Sequence, residues 1–102
     1  MDLAERKLEG DDEIQRTWVG SLNGKSGYLL MSNKKLLFVH EEGFLRKSYD
    51  LTLQLPYEKI SEVLQKDKYE LDLTDVEGKK YVFKTFDIPV SRIEEGLAAL
   101  RE

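Results

Sequence analysis

The chain reads as short alternating segments divided by turn residues. The densest is Gly27-Tyr-Leu-Leu-Met-Ser-Asn-Lys-Lys-Leu-Leu-Phe-Val39, where two apolar runs flank Ser32-Asn33-Lys34-Lys35. Runs of about four residues are too short for a helix, and a strand apolar at every position is covered on both faces. The stretch predicts a central β-hairpin, residues 28–39, with Asn33 where a tight turn tolerates positive φ. Upstream, Ile14, Arg16, Trp18 and Gly20 alternate with Gln15, Thr17, Val19 and Ser21, and β-branched and aromatic residues fill the middle of this strand. Asn23-Gly24 is a hairpin-turn signal. Downstream, His40-Glu41-Glu42-Gly43 is another turn. Phe44 to Leu55 then continues as extended chain, with Tyr49, Leu51, Leu53 and Leu55 on one face.

Pro56 ends that strand or leaves it at an edge. Ile60 to Leu64 allows a short strand, Gln65 to Lys68 a polar turn, and residues 69–85 a second hairpin around Asp75-Val76-Glu77-Gly78. The period changes only at the end. Val90, Ile93, Leu97 and Leu100 recur at three- and four-residue spacing, which predicts an amphipathic helix over 90–101. Ser91 and Glu94 stand as in a capping box. Gly96 weakens this helix by about 1 kcal/mol relative to Ala, and lets its backbone come close to a sheet. The expected architecture is mainly β: a barrel of six to seven antiparallel strands, joined by loops too short for crossovers, with one C-terminal helix over an open end. Its expected core is Trp18, Leu30, Leu37, Val39, Leu51, Leu53, Ile60, Val63, Leu71, Leu73, Phe83, Val90, Ile93, Leu97 and Leu100. Residues 1–13 read as an acidic N-terminal arm, and residues 14–102 as the domain.

Size and charge narrow the function classes. One domain of 102 residues buries roughly 60–65% of its unfolded surface. Apolar residues make up 40% and charged residues 35%, a well-solvated globular balance. The chain has no cysteine and a single histidine, His40, so thiolate and multi-histidine metal sites are not expected. No stretch reads as a membrane span or a secretory leader, so a cytoplasmic setting is the expectation. The net charge of −4 equals that of residues 1–13 alone, whereas residues 16–47 hold six basic residues against Glu41 and Glu42. An acidic chain without an aromatic RNA-binding signature makes nucleic acid an unlikely partner. No paired acids in an apolar setting, nucleophile elbow or phosphate-cradling glycine loop is present, so no catalytic residue and no cofactor is assigned.

The order of elements resembles the pleckstrin-homology-like fold, and within it the GRAM and bacterial PH-like domains. Their central hairpin often reads as a glycine, a few apolar residues, Thr-Asn-Lys-Arg and a second apolar run. Residues 27–39 are similar, with Ser32 for the Thr and Lys35 for the Arg. Pro56-Tyr-Glu-Lys-Ile60-Ser-Glu-Val63 resembles a proline that often precedes an apolar pair in those domains. The resemblance covers residues 14–102. It implies a seven-stranded bent barrel closed by the final helix, and a binding role. The family's phosphoinositide binders use several basic residues around the first hairpin loop. Here Lys25 is the one basic residue of that loop, and Tyr28, Leu30 and Met31 stand where further cations would follow.

Gly43-Phe-Leu-Arg-Lys47 is the more unusual loop. Phe44 and Leu45 followed by Arg46 and Lys47 are suited to an anionic bilayer interface, with Lys25 in support, or to anchoring a protein partner. The function expected first is a non-catalytic module for protein or peptide recognition, at the open barrel end or by strand addition at an exposed edge, for which the strand leaving at Pro56 is the candidate. Peripheral membrane association through Phe44 to Lys47 is the alternative. Edge pairing would also support a homo-oligomer.

Overall fold

In the first hairpin turn Asn23 and Gly24 have φ of +50° and +86°, the left-handed pair that a two-residue turn between twisted strands requires. Asn23 is locked from both sides: its N–H donates to Val82 O, and its Oδ1 accepts from Val82 N–H, both at 2.9 Å. The computed structural model describes residues 12–43, 46, 48–86 and 88–100, without the side chain of Leu100. The described elements are β1 (Ile14–Leu22), β2 (Lys25–Ser32), β3 (Lys35–Glu42), β4 (Ser48–Pro56), a 3₁₀ turn (Tyr57–Lys59), β5 (Ile60–Asp67), β6 (Glu70–Asp75), β7 (Lys80–Thr85) and α1 (Ser91–Leu100).

The β2–β3 turn differs from the expectation. Among the described residues Asn23 is the one non-glycine with positive φ, so Asn33 is not left-handed. Ser32 holds this turn instead. Its Oγ accepts from Lys34 N–H and Lys35 N–H at 3.2 and 3.0 Å, and donates to Asp12 Oδ2 at 2.8 Å. Asp12 Oδ1 accepts from Asn33 N–H at 2.8 Å. Asp12 is itself buried, so the domain's described contacts begin inside the segment read as an arm. Beneath the turn, the buried Tyr57 hydroxyl donates to Ser32 O, and Tyr57 N–H donates to Lys34 O. Burial, and then the Asp12 carboxylate, push the Tyr57 phenol well above its ordinary pKa.

Seven strands form one antiparallel sheet in the order β4-β3-β2-β1-β7-β6-β5. Sequential neighbours pair except β4 and β5, which lie at opposite ends of the order, and β1 joins the two halves by pairing with both β2 and β7. Among the described residues β4 and β5 are the outermost strands, and each carries a ladder on one side only.

The main core fills the concave face with Trp18, Leu29, Met31, Leu36, Phe38, Leu53, Leu71, Leu73 and Phe83 among others. Phe38 and Phe83 meet edge to face, with centroids 6.1 Å apart. A second, smaller cluster of Leu30, Leu37 and Val39 lies on the opposite face of the hairpin, joined by the half-buried Ile14 and Leu51. The central hairpin is thus covered on both faces. Three expected faces are interrupted by bulges, because one extra residue moves the following side chains across the sheet. Between Ile14 and Arg16 a bulge separates Ile14 from Trp18. Opposite Phe38 and Val39 another turns Leu51 to the second cluster, while Leu53 and Leu55 enter the main core. A third lies between Ile60 and Glu62, and it leaves both Ile60 and Val63 toward the core.

α1 lies on the main core through Val90, Ile93 and Leu97. Its first bond runs from Glu94 N–H to Val90 O, so Ser91 is already helical and does not serve as the expected cap. Gly96 faces β1 and β2 closely: a Cβ there would stand 3.0 Å from Arg16 Cδ, 3.2 Å from Met31 Sδ and 3.3 Å from Trp18 Cη2.

Candidate functional site

The residues singled out by sequence scatter. Lys25 is exposed at the start of β2 and Arg46 is exposed beyond β3. Gly27 opposite His40 sets the β1–β2 turn and the β3–β4 connection at the same end of the sheet. Phe44, Leu45 and Lys47 lie outside the described residues. Lys34 and Lys35 belong to the turn at the opposite end of the hairpin, where Lys35 Nζ donates to Gln54 Oε1 at 3.2 Å. His40 is half-buried, with Nδ1 2.7 Å from Ser26 O, a backbone tie between β3 and β2.

The β5 edge has a different character. Among the described residues β5 has no strand beyond it, and residues 61–67 are exposed except for the half-buried Val63. Leu64 stays 45% exposed. Such an edge offers unpaired backbone donors and acceptors to an incoming strand. α1 runs beside this edge because its start is tied to the end of β5's hairpin: Val90 N–H donates to Lys68 O at 2.8 Å, and Thr85 N–H to Tyr69 O at 3.0 Å. Between them lies an open groove of about 390 Å³, lined by Val63, Ser91, Glu94, Glu95 and Ala98. The four helix residues are spaced three, four and seven apart, which makes them one flank of α1. Val63 and Ala98 supply an apolar floor, and Glu94 and Glu95 supply carboxylates.

From sequence, Ser91 and Glu94 read as a capping box and Val63 as core. The signal available was a second stripe on the helix beside its apolar one. It gains meaning only once β5 is known to be an edge. Among the described residues no group of three or more His, Asp or Glu side chains is placed to hold a metal. No described helix is long and apolar enough to cross a membrane.

The profile of the family described as "Bacterial PH domain" matches residues 8–101. The chain belongs to the bacterial PH-domain family. This match supports the expectation of a PH-like fold, while its GRAM branch gains no support. The domain is also similar in fold to the crystal structure of the C-terminal domain of an unknown protein from Leishmania infantum. That similarity has a TM-score of 0.66 and 12% sequence identity, and it covers 99% of this chain and 90% of the other. Identity this low shows the fold alone. No curated protein matches the chain.

Proposed function

We propose that this bacterial PH domain is a non-catalytic binding module that takes up an extended protein or peptide segment along the β5 edge. The observation that carries the reading is the coincidence of a one-sided strand with a lined groove. Among the described residues β5 pairs only with β6, and the flank of α1 runs beside it. Strand addition supplies backbone hydrogen bonds whatever the incoming sequence, and alternate side chains fall into the adjoining groove and select among sequences. The β4 edge ends at Pro56, which has no N–H to offer an incoming strand, and it is the weaker candidate of the two.

A blocked hexapeptide alternating serine and valine is the simplest probe. At millimolar peptide the amide resonances of residues 60–67 shift, and their hydrogen exchange slows. The β4 amides, residues 48–56, serve as the internal control. Shifts confined to β4, or shifts that appear without peptide as the protein is concentrated, would move the site to the other edge or to a second copy of the chain. Either result defeats this assignment.

A further inference from the structure

We infer that the segment received by the β5–α1 groove is cationic. It carries lysine or arginine on alternate residues to either side of an apolar side chain. This deepens, and rests on, the strand-addition reading above. Three features of the groove support it.

The first is charge. Glu94 and Glu95 both line the groove, and among the described residues no lysine or arginine does. Neither carboxylate has an ion pair or a side-chain hydrogen bond among the described residues, so each is available to an incoming cation. The second is length. From Ser91 to Ala98 the helix flank extends about 10 Å along its axis, at 1.5 Å per residue. Three alternate residues of a strand span about 13 Å. An extended segment therefore presents three groove-facing side chains to this flank, and a compact ligand would cover only part of it. The third is the floor. Val63 and Ala98 give the groove its apolar lining, which suits an apolar side chain among the groove-facing residues.

Blocked hexapeptides test the assignment on the whole chain: Lys-Ser-Val-Ser-Lys-Ser, with the two lysines replaced by glutamine or by glutamate as controls. In each the first, third and fifth residues share one face of a strand. The lysine peptide binds about three- to ten-fold tighter than the glutamine peptide, the size expected of two exposed ion pairs. Its advantage shrinks as salt is raised, because exposed pairs are screened over about 10 Å at 0.1 M. The glutamate peptide binds least. In the Glu94→Gln, Glu95→Gln double variant the lysine and glutamine peptides become equal. The fold of that variant is checked by Trp18 fluorescence.

Equal binding of the lysine and glutamine peptides to the unmodified protein, with β5 amides shifting in both, overturns the cation preference and leaves strand addition standing. A lysine preference that survives in the double variant does the same, since the charge would then lie elsewhere. If no peptide perturbs β5, both readings fall together.

Discussion

Gly20 and Gly27 face each other across β1 and β2, and each is a point where another strand's backbone comes closer than any side chain permits. A Cβ on Gly27 would stand 2.0 Å from Val39 O, and one on Gly20 would stand 2.2 Å from Lys84 O. These neighbours are backbone atoms held in ladders, so they cannot turn aside as a flexible side chain would. Gly24 is the opposite case. It has open space around its Cα but a φ of +86°. The two sites separate two costs of a glycine. Gly24→Ala meets only the left-handed penalty, about 1–2 kcal/mol. Gly27→Ala meets overpacking against backbone and loses about 3 kcal/mol or more. Urea unfolding of both variants gives the comparison. Equal losses would mean that the hairpin tolerates a wider sheet than its register implies. Gly27 was visible in the sequence only as a loop-closing residue. Its strand role depends on β3 passing beside it, and no local pattern reports that approach.

At the scale of elements, most of the architecture was legible, and the facing was lost where strands bulge. The Asn23-Gly24 turn, the doubly covered hairpin and the helix stripe all follow from residues near each other in sequence. Bulges do not. The run Tyr49, Leu51, Leu53, Leu55 looks like one face, yet Leu51 and Leu53 lie in different clusters because β4 gains a residue against β3. The candidate groove was illegible for a related reason: it needs β5 to be an edge, and only the order of strands decides that. The β6–β7 turn shows an element whose chemistry can be tested. Asp75 Oδ1 accepts from Glu77 N–H and Lys79 N–H, both at 2.9 Å, and Oδ2 accepts from the Tyr81 hydroxyl at 3.2 Å. Burial pushes this carboxyl up, but the bonds from Lys79, Glu77 and Tyr81 and the Lys79 charge outweigh it, leaving the group below its ordinary range. A carboxyl lowered on folding stabilises the fold above its unfolded value, near 4, and that contribution disappears as pH falls through the folded value. Asp75→Asn therefore lowers the urea midpoint at pH 7, and the gap from the unmodified protein narrows below about pH 4. A gap of constant size from pH 7 to pH 2 would show that the carboxylate charge is not what organises this turn.

For the whole molecule the decisive relation is between the sheet and α1. The two halves of the sheet share β1, and β1 pairs with β7 only over Gly20 to Leu22, so the sheet's own ladders join the halves weakly. α1 contributes the rest by placing Val90, Ile93 and Leu97 in a core that includes residues of both halves. The domain should then unfold as one unit, with a total stability of about 5–15 kcal/mol. Leu97 is 1% exposed. Leu97→Asp removes roughly 2–3 kcal/mol of apolar burial and adds several more for an unpaired charge, a loss comparable with the whole stability. The chain's single tryptophan is well placed to report the result, since Trp18 Cη2 lies 3.3 Å from the position of a Cβ on Gly96 of α1. Emission from Trp18 shifts to the red, and the near-ultraviolet dichroism of the aromatic core disappears together with the far-ultraviolet strand signal. If the strand signal instead persists while Trp18 alone becomes exposed, the sheet is stable without its helix. The β5–α1 groove could then open by release of α1 without unfolding the rest.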